Sequence, residues 1–277
     1  MEDKESIDWF RSIDNKKKKT FFKFDIEAYF PSISKALLIK AFEFVDRVNY
    51  LDEFEKNLIM HCRRGVLVGK DQSIWVKTAD ANFDITMGSK DSAEISEMVG
   101  LYLLDKLSEH FPKEDLGLYR DDGLGACEGG GPEFERLKKK LVKIFREEGL
   151  KITVEGGEKS VDFLDVMFDL NSGKYCPYIK PNTTTHYVST QSNHPPAVLK
   201  SITKGISKRL SCNSSTKEEF QAHTGHFRDA LKEAGYVEDI KYVEEEARGK
   251  KKNRKRRVIY FNPPWSANVS INIGARF

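Results

Sequence analysis

The sequence predicts an α+β protein, in which an antiparallel sheet backed by helices is followed by a mainly helical distal region. Three observations carry this. Phe22, Phe24 and Ile26 alternate with Lys23, Asp25 and Glu27, the period of a strand with one apolar face. The tetrad Tyr119-Arg120-Asp121-Asp122, followed by Gly123, stands between Leu116-Gly117-Leu118 and Leu124-Gly125-Ala126-Cys127, which reads as a tight hairpin with acids at its turn. Beyond Pro195 the apolar period becomes helical.

The elements follow in order. Pro31 ends the first strand, and Ser32 or Ser34 caps the next helix, roughly 35–48, with Leu37, Leu38, Ala41, Phe42 and Val45 on one stripe. A second helix is expected near 52–63, then a hairpin around 74–85 with Ala81-Asn82 near its turn. A long helix over about 91–110 carries Ile95, Met98, Val99, Tyr102 and Leu103. After the acidic hairpin comes a helix near 133–148 through Phe134, Leu137, Leu141, Ile144 and Phe145. Strands near 150–154, 161–169 and 174–180 complete the sheet, and helices at roughly 196–210 and 215–234 form the distal part.

With 277 residues, 39% of them hydrophobic, the chain can bury a sizeable core. Its charge is unevenly spread. Residues 198–277 hold 17 Lys/Arg against 9 Asp/Glu, while the remainder holds 29 against 34. An acidic half and a basic half suit metal ions in one and a phosphate backbone in the other, although such asymmetry is also common without function. Cys62, Cys127, Cys176 and Cys212 lie far apart without a Cys-x-x-Cys pair, which argues against a zinc ribbon or a disulfide framework. His223 and His226 with Cys212 read as a solvated helix face rather than a metal site. No signal peptide opens the chain and no apolar run approaches a membrane span, so the expected location is intracellular, nuclear or cytoplasmic.

The chemistry concentrates in the acids. Adjacent carboxylates on a buried hairpin are costly unless a cation neutralises them. Asp25, at the end of a core strand, adds a third carboxylate, the usual protein share of a two-metal phosphoryl-transfer site. Magnesium suits such a site, because it binds few carboxylates and completes its shell with phosphate and water. Gly123, Gly125 and the glycines at 129–131 follow a hairpin turn and do not open a helix after a strand, which excludes a dinucleotide-binding loop.

Asp25-Ile-Glu-Ala-Tyr-Phe-Pro-Ser-Ile33 resembles the first catalytic motif of reverse transcriptases, and Tyr119-Arg-Asp-Asp122 resembles their Tyr-x-Asp-Asp motif. Val161-Asp-Phe-Leu-Asp-Val-Met-Phe-Asp169, Tyr178-Ile-Lys-Pro-Asn-Thr-Thr-Thr-His-Tyr187 and Ser192-Asn-His-Pro195 resemble the palm-to-thumb region of Penelope-like retroelement polymerases. The resemblance implies a polar lead at 1–19, a polymerase palm at 20–190 and a helical thumb-like region at 191–248. A basic linker and connecting segment would occupy 249–277. It further implies an RNA template, a DNA primer, dNTP substrates and two Mg²⁺ ions, with Mn²⁺ a possible substitute. Asp25 and Asp121 would bridge both ions, with Asp122 and the Ile26 carbonyl as further ligands. A primer 3′-hydroxyl would attack the α-phosphate in line.

Phe30 falls where such enzymes block a ribose 2′-hydroxyl, though a core Phe at a strand end would look the same. Tyr119 would pack under the primer terminus or serve as a hairpin core residue. Thr86-Met-Gly-Ser-Lys-Asp-Ser-Ala93 keeps Gly88, which allows close backbone approach, but lacks the family's Gln and Pro. Lys90 supplies a phosphate contact or a solvated helix start. Only 24 residues precede Asp25, leaving no room for fingers, and the C-terminal residues resemble a connecting segment that continues in related proteins, so the chain is expected to be a fragment. Lys250, Lys251, Lys252, Arg254, Lys255, Arg256 and Arg257 place seven cations in eight positions, which read as a linker with nucleic-acid affinity or an import signal. Lys180 is a further candidate for the primer backbone. The alternative to a polymerase is a catalytically silent, nucleic-acid-binding remnant of one.

Overall fold

A computed structural model of the protein describes residues 3–63, 66–76, 83, 85–86, 88–129 and 131–244. The chain divides into two units, Met1–Phe163 and Leu164–Phe277. In the first, an N-terminal helix α1 (Asp3–Ser12) precedes strand β1 (Lys19–Ile26) and a short helix α2 (Tyr29–Ser32). Helices α3 (Lys35–Val48) and α4 (Glu53–Cys62) follow, then the hairpin β2 (Val66–Val68) and β3 (Ile74–Val76). The long helix α5 (Ser92–Ser108) leads to the hairpin β4 (Leu116–Tyr119) and β5 (Asp122–Glu128). Helix α6 (Gly131–Glu147) and strands β6 (Ile152–Glu158) and β7 (Ser160–Phe163) close the unit.

The central sheet has four strands in the order β4-β5-β1-β6, antiparallel throughout. Its register builds rows of residues across the strands. Leu118, Gly123, Phe24 and Val154 form one inward row, and Leu116, Gly125, Phe22 and Gly156 the next. Each Phe therefore lies opposite a glycine. A Cβ added at Gly123 would clash with the outer atoms of the Phe24 ring, and one at Gly125 with the Phe22 ring and the Asp115 carbonyl. The Phe24 ring continues onto Phe145 of α6, with centroids 5.3 Å apart. Around these rings pack Leu38 and Ala41 of α3, Val99 and Leu103 of α5, and Leu141 of α6, all buried. Burying each of these leucine and valine side chains contributes about 1.5–3 kcal/mol.

The opposite face is divided. At one end Phe21 and Ala126 face each other and are buried, and the rings of Phe10 and Trp9 from α1 sit 6.1 and 6.4 Å from Phe21. Trp9 Nε1 also donates to the Glu114 carbonyl at 2.7 Å. The other end carries Asp25 and Asp122, both exposed.

The helices at 35–48, 52–63, 91–110 and 133–148 lie where their periodicity puts them. Ser34, not Ser32, caps α3 by accepting from the Leu37 amide at 3.1 Å; the Ser32 hydroxyl donates to the Glu27 carbonyl instead. Asp52 and Glu55 form a capping box at α4. Three expectations shift in this part of the chain. The first strand ends at Ile26 rather than Pro31, because Ala28 turns the chain at φ 48° and Pro31 sits in α2. The β2–β3 hairpin turns at residues 69–73, where Asp71 accepts from the Ser73 amide and hydroxyl at 3.2 and 2.6 Å. Residues 81 and 82, the expected turn, lie outside the described residues. The strand expected at 161–169 is interrupted at Leu164, whose φ is 53°. The residues before Thr20 contain α1, which the sequence reading did not foresee.

The second unit begins with the hairpin β8 (Val166–Asp169) and β9 (Lys174–Pro177), so the strand expected at 174–180 stops three residues early. Helices α7 (Pro196–Cys212), α8 (Lys217–His223) and α9 (Gly225–Glu233) enclose Ile206, Leu210, Phe220, Phe227, Leu231 and Ile240. The single helix expected at 215–234 breaks at Thr224, a buried residue whose hydroxyl bonds back to the Phe220 carbonyl at 2.7 Å. Ser207 and Ser211 of α7 are buried, yet each hydroxyl donates one turn back, to Thr203 and Ser207 carbonyls, and accepts from the Lys241 or Val243 amide. Among the described residues, no helix is long and apolar enough to cross a membrane.

Gly123→Ala must displace the Phe24 ring and is expected to destabilise by ~1–3 kcal/mol, seen as a lower urea midpoint at unchanged slope. Adding Phe24→Leu should recover part of that loss, so the double variant falls short of the sum of the singles.

Candidate active site

Four strands contribute one row to the open end of the sheet: Tyr119, Asp122, Asp25 and Thr153. Directly opposed residues of antiparallel strands have Cβ atoms about 5 Å apart, and like charges in that position repel. Asp25 and Asp122 are such a pair. Asp121 joins them through its backbone, its carbonyl accepting from the Ile26 amide at 3.0 Å. The sheet thus brings Asp25, Ile26, Tyr119, Asp121 and Asp122 together, although 96 residues of sequence separate Asp25 from Asp121.

Both acid-bearing turns hold a residue with a side chain in the left-handed region. Ala28 follows Asp25 by three positions at φ 48°, and Arg120 precedes Asp121 at φ 55°. Each costs about 1–2 kcal/mol relative to an ordinary conformation, and such strain collects at functional sites. The Arg120 guanidinium stacks over the Tyr119 ring, 5.4 Å from its centroid.

Beneath the turn lies Tyr29, a core residue donating its hydroxyl to the Ser96 carbonyl of α5 at 2.7 Å. Burial raises its pKa first, and the neighbouring Asp121 carboxylate raises it further, so the phenol stays protonated. Tyr29 therefore fixes the start of α5 relative to the acids. Glu27 faces away from this role: Lys151 and Thr153 donate to it at 2.8 and 3.2 Å, and the Lys151 bond holds its carboxyl below the usual range. Lys23, on the same face as Asp25, reaches Asp162 at 3.4 Å and Glu155 at 3.7 Å.

The donor chemistry fits Mg²⁺. Asp25, Asp121 and Asp122 offer hard carboxylate oxygens at an accessible sheet end, and a divalent cation bound there would relieve the opposition of Asp25 and Asp122. Phe30 is half-buried, its ring 5.9 Å from Tyr29 and edge-on to it. Gly88 is exposed at φ 88°, a conformation that favours glycine, four residues before α5. Lys180 belongs to the second unit, where it lines a cleft of about 240 Å³ with Thr183, Arg209 and Asn213. Lys250, Lys251, Lys252, Arg254, Lys255, Arg256 and Arg257 lie outside the described residues.

A cation near the Gly88 loop escaped the sequence reading. Arg63, 1% exposed at the end of α4, ion-pairs with Asp91 just before α5 and donates Nε to the Ile59 carbonyl at 3.2 Å. Its Nη1 has no hydrogen-bond partner among the described residues. Ser89 donates to the same Asp91 at 3.0 Å. No local signal marks a pair separated by 28 residues, and Arg63 reads in sequence as a solvated helix end.

No protein-family model matches the sequence, and no curated protein matches it. Solved structures do. A telomerase from Candida albicans, in complex with a TWJ fragment of telomeric RNA, superposes with a TM-score of 0.56 at 13% identity, over 83% of this chain and 42% of that one. The RNA-dependent RNA polymerase of a human picobirnavirus gives 0.48 at 12% identity, over 83% of this chain and 48% of that one. The chain spans less than half the length of either structure. The first likeness shows the fold, an antiparallel sheet backed by helices as in that telomerase.

Removing Asp91 as Asp91→Asn leaves the Arg63 guanidinium buried without its counter-charge. The expected loss is ~2–3 kcal/mol, below the range for fully buried pairs because Asp91 is 39% exposed. Burial raises the Asp91 pKa, but the Arg63 and Ser89 hydrogen bonds outweigh it and bring the net value below 3.8. A depressed native pKa stabilises above the unfolded value and ceases to do so as pH falls through the native one. The melting-temperature gap between wild type and Asp91→Asn should therefore be full at neutral pH and close below pH 3.8.

Proposed function

We propose that this chain is the palm and thumb-like part of an RNA-directed DNA polymerase, a reverse transcriptase of a retroelement akin to the Penelope-like group. The observation that carries the reading is the placement of Asp25 opposite Asp122, with Asp121 bonded through its carbonyl to the Ile26 amide. That constellation gathers the acids of both motifs at one accessible end of a sheet whose fold is like that of a telomerase. Its substrates are an RNA template, a DNA primer and dNTPs.

Asp25, Asp121 and Asp122, with the Ile26 carbonyl, are the groups that hold two Mg²⁺ ions, Mn²⁺ being the alternative. When bound, the ions supply activation of the primer 3′-hydroxyl and neutralisation of the triphosphate during in-line transfer. The protein's own groups set the geometry. Tyr29 buttresses the Asp121 turn against α5. Tyr119 supports the primer terminus from the neighbouring strand, and Gly88 lets backbone approach the nucleotide. Phe30 excludes a ribose 2′-hydroxyl. Lys180 and the cations at 250–257 attract the nucleic-acid backbone.

The test is extension of an oligo-dT-primed RNA by the purified chain with Mg²⁺ or Mn²⁺. Wild type should extend, and Asp121→Asn/Asp122→Asn should lose at least about a thousandfold, because metal contacts supply several kcal/mol of transition-state stabilisation. A folded wild type that binds template in a salt-sensitive way yet extends nothing would replace the polymerase by a silent nucleic-acid-binding remnant. In the same assay Phe30→Val should raise ribonucleotide over deoxynucleotide use by about tenfold or more. An unchanged ratio with a lower melting temperature would assign Phe30 to packing on Tyr29 alone.

A further inference from the structure

We propose that Cys176, Glu219 and His223 in the second unit form a zinc site, with water as the fourth ligand. One ligand atom from each of the three lies within 4.8 Å of those of the others. The arrangement is built by two elements. Strand β9 presents a half-buried Cys176, and α8 presents Glu219 and His223 one turn apart. Two bonds tie these elements: the Ser215 amide donates to the Tyr175 carbonyl at 2.9 Å, and Lys174 Nζ to Glu219 at 2.9 Å. Residue 215 immediately precedes the Thr216 cap of α8, whose hydroxyl accepts from the Glu219 amide at 3.3 Å. His223, which with His226 and Cys212 reads in sequence as a solvated helix face, thus meets a different thiol and a carboxylate.

The state of the imidazole fits coordination. His223 Nδ1 lies 2.9 Å from the Glu219 carbonyl oxygen, which can only accept, and 3.6 Å from its carboxylate, an arrangement in which Nδ1 donates and Nε2 is the nitrogen offered to the ion. A carbonyl holding one ring nitrogen while the other binds metal is the usual second support of a zinc histidine. Sulfur, nitrogen and oxygen donors select Zn²⁺ over Mg²⁺, in contrast to the all-oxygen group at Asp25, Asp121 and Asp122. Burial, and then the Glu219 charge, push the free Cys176 thiol up to about 11, a situation that a bound cation reverses. Binding near neutral pH therefore releases the thiol proton to solvent. Lys174 competes with the ion for Glu219.

The experiment uses the whole chain, stripped with chelator and titrated with Co²⁺. One equivalent should produce a near-ultraviolet thiolate-to-cobalt charge-transfer band, which Zn²⁺ bleaches by displacement. Cys176→Ser should abolish the band, and His223→Ala should weaken binding at least about tenfold. Lys174→Gln should tighten binding, an effect that loss of a merely structural ion pair would not produce. The band should be unchanged in Asp121→Asn/Asp122→Asn, which separates this site from the acidic one. Absence of the band in wild type, or its survival in Cys176→Ser, would overturn the proposal. If Cys176→Ser does not fold by circular dichroism, Glu219→Gln and Lys174→Gln decide, and wild-type affinity in both would overturn it.

Discussion

Two phenylalanines laid over two glycines hold the central sheet of the first unit in register. Phe22 and Phe24 project into the core opposite Gly125 and Gly123, and no side chain could replace either hydrogen without moving a ring. Because side chains alternate across a strand, fixing these rings inward fixes Lys23 and Asp25 outward. A slip of one residue would drive the Asp25 carboxylate into the apolar core and bring a ring to solvent, a change that no local contact could offset. The opposition of Asp25 and Asp122 is thus a by-product of core packing on the other face. Charge repulsion between them is tolerated because the ring-to-glycine contacts already determine the pairing.

The same logic explains what could be read from the sequence. Phe-x-Phe-x-Ile in the first strand and the acidic tetrad in the hairpin are local patterns, and both landed on the expected strands. The long helices were legible for the same reason, since a stripe such as Ile95, Val99, Tyr102 and Leu103 repeats within one element. What failed were features decided by single residues or distant partners. Leu164 and Thr224 interrupt apolar patterns that look continuous. The N-terminal helix hides behind polar residues because its buried contribution is confined to Ile7, Phe10 and neighbours. The meeting of Asp25 with Asp122 was foreseen by resemblance, whereas Arg63 with Asp91, and Cys176 with Glu219 and His223, carry no pattern in one dimension.

Polar groups inside both units are satisfied in ways that give them structural work. Tyr29 is a phenol in an apolar core, and its hydroxyl joins the sheet end to α5 at Ser96. Ser207 and Ser211 could have left their hydroxyls bonded only within α7; each instead accepts an amide from residues 241–243. A hydroxyl that donates backward along its helix and accepts from a crossing chain fills two roles with one oxygen. Among the described residues the exceptions are Arg63 Nη1, Tyr187 Oη and Ser215 Oγ, and the first stands beside the Gly88 loop where the resemblance to polymerases is weakest.

Ala28 and Arg120 give the site a history that could be checked by descent. Their left-handed turns are tolerated at a cost that glycine or asparagine would avoid, and nothing in the core demands an alanine or an arginine there. The Phe-x-Phe and Gly-x-Gly pairing, by contrast, is demanded by folding itself. In copies of this chain released from selection for activity, drift should therefore relax the two turns early and spare the paired rings and glycines. If the proposed activity holds, the order in which those positions change would distinguish a lineage that lost the acidic site from one that lost the fold.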